Sequence, residues 1–142
     1  MRANSMLQRL IDRAKHAKSR AYAPYSGFRV GAAILTENGR ITEGCNVENG
    51  SYSLTICAER NAIFSAITKG QGRFRAIAIT SDSDAFLPPC GACMQVLSEF
   101  NPALEIILTT SDGRHKISSL DKLFPMQANL KDLARTEIKE KR

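Results

Sequence analysis

No apolar run in this sequence approaches the roughly 20 residues that a membrane-spanning helix needs. The start, Met1-Arg2-Ala3-Asn4-Ser5, has a charge but no apolar stretch behind it, so no secretory leader is expected. The chain is therefore expected to be soluble, intracellular and cytoplasmic. It contains no internal repeat, linker, low-complexity segment or glycine-rich phosphate loop. Histidine is nearly missing: His16 and His115 lie apart from the cysteines and read as ordinary surface or core residues. A length of 142 residues is short for two domains, so 1–142 reads as a single domain, with 130–142 as a fraying helix or tail. A hydrophobic fraction of 43% excludes global disorder.

The formal net charge of +6 raises nucleic acid as a partner. Its distribution argues otherwise. Arg2, Arg9, Arg13, Lys15, Lys18 and Arg20 face only Asp12, so the first twenty residues hold +5 of the +6. The remainder is nearly balanced and lacks the basic, aromatic-interleaved run that single strands favour. A solvated basic helix face accounts for the charge.

Apolar residues recur at helical spacing from Met6 to about Arg20, with Ser5 as the expected cap and Pro24 and Gly27 as breakers. Phe28 to Thr36 reads as a buried strand, Asn38-Gly39 as a hairpin turn, and Ile41 to Asn46 as the antiparallel return. A polar loop runs to Ile56. Cys57 opens a second helix that ends at Gly70 and Gly72. Arg75 to Thr80 is a strand, Cys90 to Phe100 a helix closed by Asn101-Pro102, and Leu104 to Thr109 another strand. His115 to Ser118 reads as an edge strand, followed by a helical turn and a charged terminal helix over Asp132 to Lys141. The order α-β-β-α-β-α-β-β-α predicts an α/β fold, a three-layer α-β-α sandwich.

Cysteine is sparse but clustered. Cys57-Ala58-Glu59-Arg60 and Pro89-Cys90-Gly91-Ala92-Cys93 place three thiols at two helix starts. Helix N-termini lower thiol pKa, and Cys90 and Cys93 share one face of a turn. Three thiolates can hold one Zn²⁺ with its fourth position open for water, the pattern of a catalytic site. Three buried cysteines in helix caps are the plain alternative. Glu59 stands too close to Cys57 to bind the same metal comfortably and is placed to move protons of that water; otherwise it is a carboxylate favoured by the helix dipole. Arg60 either donates to the sulfurs, offsetting their charge, or forms a surface ion pair. Cys45 reads as a small buried residue, with a four-cysteine structural site as the alternative. Cys-x-Glu…Pro-Cys-x-x-Cys is the signature of zinc-dependent nucleobase deaminases.

Together with Tyr22-Ala-Pro-Tyr-Ser-Gly-Phe-Arg-Val-Gly-Ala-Ala and Gly44-Cys-Asn-Val-Glu-Asn, these motifs resemble the small, homotetrameric cytidine deaminases, from about residue 6 to 110. The resemblance implies a five-stranded mixed sheet, active sites shared between subunits, and hydrolytic deamination of cytidine and 2′-deoxycytidine to the uridines in pyrimidine salvage. It implies Cys57, Cys90 and Cys93 as ligands of one zinc per subunit, Glu59 as proton shuttle and Arg60 as donor to the ligand sulfurs. Asn46 and Glu48 would hold the ribose 3′-hydroxyl, Phe28 would pack on the pyrimidine, and the Ala58 N–H would meet its O2. Gly50 and Tyr52 would come from a neighbouring subunit; a homodimer is the alternative assembly. Two positions depart: Met94 stands where the family commonly has Arg, and Ala128 where it commonly has a Phe covering the base.

Two other functions are open to the sequence. One keeps the chemistry but takes a modified cytidine or an antibiotic such as blasticidin S. The other is a non-enzymatic zinc module binding RNA through its basic first helix.

Overall fold

The computed structural model describes residues 2–129; the terminal helix expected over 132–141 lies outside them. The elements are α1 (Arg2–Lys18), β1 (Val30–Thr36), β2 (Ile41–Cys45), a 3-10 turn (Tyr52–Leu54), α2 (Ala58–Thr68), β3 (Phe74–Ser81), α3 (Gly91–Phe100), β4 (Glu105–Thr109), β5 (His115–Ser119) and α4 (Leu120–Leu123). The sheet is five-stranded in the order β2-β1-β3-β4-β5. Only β3 and β4 run parallel, so it is mixed, as the resemblance implied.

Strand side chains alternate between the two sheet faces. Ala33, Leu35, Ala76, Ala78 and Ile107 pack against Leu10, Ile11 and Ala14 of α1. Ala32, Ile34, Ile77, Ile79, Ile106 and Leu108 pack against α2 and α3 through Ala58, Ala62, Ile63, Ala66 and Leu97. Both faces are covered, which is why these strands read as continuous apolar runs. The three layers are α1, the sheet, and α2 with α3.

Two glycines set how close the helices come. A Cβ on Gly31 would meet the Ala14 carbonyl and the Lys18 backbone, with Lys18 Cα at 2.8 Å. A Cβ on Gly44 would meet the Ala58 carbonyl and the Ala62 backbone, with Ala62 Cα at 2.7 Å. Helices α1 and α2 therefore rest directly on the backbones of β1 and β2.

Two element starts differ from expectation by two residues or more. Helix α1 begins at Arg2, so Ser5 lies inside it rather than capping it; no Gly or Pro interrupts residues 2–5. Strand β1 begins at Val30 and not Phe28, because side chains have taken the backbone groups of the preceding residues. Phe28 N–H donates to Ser26 Oγ, the Phe28 carbonyl accepts from Asn46 Nδ2, and Arg29 N–H donates to Asp82 Oδ2. The basic face of α1 is partly neutralised within the molecule: Arg13 pairs with Glu43 of β2, and Lys18 Nζ lies 3.1 Å from Asp82.

Candidate metal centre and active site

Cys57 and Cys90 are the N-caps of α2 and α3, both with extended backbone. The free N–H groups of a helix start favour an anionic sulfur there. Cys90 Sγ accepts from Cys93 N at 3.4 Å. The Sγ atoms of Cys57, Cys90 and Cys93 lie within 4.8 Å of one another, and those of Cys57 and Cys90 are 3.8 Å apart. Two thiolates bound to a tetrahedral zinc at about 2.3 Å stand roughly 3.8 Å apart, so the donor set fits that ion. Cys45 is not in the group. It ends β2 with its Sγ 3.6 Å from the Arg20 carbonyl, which removes the four-cysteine alternative.

Arg60, one turn into α2, places Nη2 3.5 Å from Cys57 Sγ. Its Nε is buried and has no hydrogen-bond partner among the described residues. Cys57 and Cys93 both push the Arg60 pKa up, so this cation stays charged against the sulfurs. A hydrogen bond from Cys93 and then Arg60 bring Cys57 down to about 5 despite burial, while Cys93, as the donor and the more buried, is pushed up. Met94 packs against the apolar core and adds no charge here.

Glu59 lies in the first turn of α2 and is only 5% exposed. Burial raises its pKa and the Cys57 charge adds to that, while a hydrogen bond with Cys93 opposes it. It borders the sulfurs without joining them as a ligand.

Beside these groups is a chamber of about 220 Å³. Cys57, Ala58, Glu59 and Cys90 bring the candidate chemistry to it. Phe28, Val30, Ile79, Leu87 and Pro88 are its apolar lining, and Asn46, Thr55 and Ser81 its polar lining. Ala58 opens α2, so its N–H has no acceptor within the helix.

Asn46 Oδ1 accepts from Val30 N and its Nδ2 donates to the Phe28 carbonyl, each at 2.9 Å. One N–H and one lone pair remain for a ligand. Glu48 accepts from Tyr25 N at 3.0 Å and Ser26 N at 3.1 Å. It lines a second hollow of about 330 Å³ with Tyr25, Ser26, Tyr52 and Thr55. Thr55 lines both, so the hollows adjoin.

Gly50 and Tyr52 belong to the second hollow's side of the molecule and not to the chamber. A Cβ on Gly50 would lie 3.1 Å from the Tyr25 hydroxyl, and the Tyr52 ring meets that of Tyr25 edge-on at 6.1 Å. Ala128 does not stand over the chamber. Its carbonyl accepts from Gln95 Nε2 at 3.3 Å, and Gln127 Nε2 donates to the Pro102 carbonyl at 3.0 Å, holding this segment along α3. Within its own chain Ala128 therefore follows α3 and lies off the chamber lining.

The sequence reading missed Thr55, Ile79, Ser81, Leu87 and Pro88. Leu87 and Pro88 directly precede the Pro89-Cys90 motif, a usable signal; nothing local marks Thr55 or Ser81.

Residues 4–109 match the family model for the cytidine and deoxycytidylate deaminase zinc-binding region. The chain is 43% identical to a cytidine deaminase of Sporosarcina psychrophila, over 90% of this chain and 95% of that one. It is 44% identical to a probable cytidine deaminase of Dictyostelium discoideum, over 89% of this chain and 86% of that one. The crystal structure of a cytidine deaminase from Burkholderia pseudomallei superposes with a TM-score of 0.82 at 47% identity, covering 85% of this chain and 98% of that one.

Proposed function

This chain belongs to the family of zinc-binding cytidine and deoxycytidylate deaminases, and from that premise we propose that it hydrolyses cytidine and 2′-deoxycytidine to uridine and 2′-deoxyuridine, releasing ammonia. The observation that carries this reading is the three-sulfur cluster, whose Cys57 and Cys90 line a chamber that Glu59 and Asn46 also line.

Cys57, Cys90 and Cys93 would hold the zinc, which when bound supplies a Lewis acid that makes water nucleophilic at neutral pH. Glu59 takes a proton from the attacking water and delivers it to N3 as oxygen bonds to C4. It then passes the second proton to the exocyclic nitrogen as the C4–N4 bond breaks, and the carboxylate is regenerated. Burial disfavours the charged form of Glu59, which suits a group that must carry a proton between two steps. Arg60 offsets the sulfur charge. The Ala58 N–H meets the base O2, and Phe28 offers its ring to the pyrimidine.

The remaining donor and acceptor of Asn46, with Glu48, are assigned to the ribose 3′-hydroxyl. In the assembly we read a homotetramer in which Gly50 and Tyr52 reach a neighbouring site. Tyr52 is 75% exposed and Leu54 63%, an apolar patch suited to being covered by another copy. The cytoplasm, and a place in pyrimidine salvage, follow from the same reading.

The test is turnover of cytidine, modified cytidines and blasticidin S by absorbance and ammonia release, with zinc measured alongside. Cytidine should be converted, one zinc per chain should be found, and Cys90→Ala should lose both. Conversion of blasticidin S alone, or freshly purified protein without zinc, sinks the proposal. Free cytosine should be a far poorer substrate than cytidine, by roughly 10²-fold or more in kcat/KM, since the polar groups meant for the sugar stay unpaired. Equal use of the two would refute the ribose assignment.

A further inference from the structure

Phe28 lines the chamber, yet the chain from Tyr25 to Arg29 lies outside every helix and strand. Side chains hold its backbone instead. Glu48 takes the N–H groups of Tyr25 and Ser26, Ser26 Oγ takes that of Phe28, and Asn46 takes the Phe28 carbonyl and the Val30 N–H. The Arg29 N–H goes to Asp82 Oδ2 at 2.9 Å, and Asp82 N–H donates to the Arg29 carbonyl at 3.2 Å. The Arg29 guanidinium closes on the same carboxylate, Nε to Oδ2 at 3.2 Å and Nη2 to Oδ1 at 3.1 Å. From the opposite layer, Lys18 Nζ reaches Asp82 Oδ1 at 3.1 Å and the Ser81 carbonyl at 3.3 Å. Against the upward pull of burial, Arg29 and Lys18 hold the Asp82 carboxyl down to about 2, so it is ionised across the neutral range.

We propose that Asp82 is a positioning residue for the substrate chamber: it fixes the Phe28–Val30 strip, and so the face against which the pyrimidine rests, without touching substrate. This rests on the deaminase reading above. Asn46 and Glu48 hold the same strip but are also assigned to the sugar, so removing them mixes two losses. Asp82 lines neither hollow. It is the anchor that can be removed with the sugar contacts kept.

Neutralising Asp82 leaves the Lys18 and Arg29 cations facing each other without a counter-charge, which loosens rather than merely unpairs the strip. A strip that must be ordered at each binding event weakens substrate and transition state alike. The loss then appears in KM and not in kcat.

The test uses Asp82→Asn in the zinc-loaded protein, with Arg29→Met as a second variant that keeps the Lys18–Asp82 pair. For Asp82→Asn, KM for cytidine should rise about tenfold, the size of one lost charge-assisted hydrogen bond. The kcat should stay within about threefold, with zinc content unchanged. Amide hydrogen exchange over residues 26–30, measured without substrate, should accelerate. In a Phe28→Ala background the same substitution should raise KM by less than about twofold, because no ring remains to be misplaced. If Asp82→Asn fails to fold, Arg29→Met carries the same expectations at smaller size. Unchanged KM with unchanged exchange, or a full effect in the Phe28→Ala background, overturns the inference. Wild-type protein inactive on cytidine would instead remove the substrate reading, and exchange alone would still decide whether Asp82 holds the strip.

Discussion

Glu59→Gln is expected to leave fold and zinc content intact while lowering kcat on cytidine by at least ~10²-fold. The amide keeps the shape of the side chain and can still hydrogen-bond, but it cannot accept a proton from water and return it. Because burial already disfavours the charged carboxylate, the neutral amide should leave Tm equal or slightly higher. These two readouts separate the roles open to a glutamate in the first turn of a helix. If the helix dipole were its reason for being there, Gln would lower Tm and spare turnover. Turnover within a factor of a few, measured on zinc-matched samples, would falsify the shuttle assignment.

The second large effect lies away from the chemistry. Gly44→Val is expected to displace α2, because its Cβ would meet the Ala58 carbonyl and the Ala62 backbone, none of which can swing aside. Helix α2 carries Glu59 and Arg60, is capped by Cys57, and is tied to the end of β2 by Asn61 Nδ2 on the Cys45 carbonyl at 2.8 Å. Overpacking of this kind costs about 1–3 kcal/mol and lowers Tm by roughly 3–10 °C in a chain of this size. Zinc content and activity should fall together, since the Cys57 sulfur moves away from the other two. Gly72 has open space around its Cβ position and ordinary φ, so Gly72→Val is the control and should change neither. Normal zinc binding in Gly44→Val would show that the helix tolerates the shift.

Much of this arrangement is legible in the sequence because it rests on local rules. Asn38-Gly39 marks the β1–β2 turn, and Gly39 adopts φ +86° there. The sulfur cluster is legible because cysteines at two helix starts converge once the helices pack on one face of the sheet. What escapes local reading is whatever depends on distances between elements. Gly31 and Gly44 look like any small residue in a strand until the helix backbones above them are seen. Asp82 sits in Ser81-Asp82-Ser83-Asp84, which reads as a solvated loop, and its partners come from α1 and from the residues before β1. Phe28 reads as strand because the continuous apolar run Val30 to Leu35 follows one residue after it; only the side chains that occupy its backbone show otherwise. The course of Ala128 escapes for the same reason, since spacing from a proline says nothing about which surface a terminal segment follows.

Cys57 and Cys90 are separated by 33 positions in the chain, and all of α2, β3 and the loop before α3 lies between them. A metal gripping both ends ties that stretch shut, much as a covalent cross-link would, and removes from the unfolded chain the freedom of a long loop. The ion is then a fastener as well as a reagent. The free energy of unfolding should rise with the logarithm of free zinc, so that metal supply governs how much of this protein survives and not only how much of it is active.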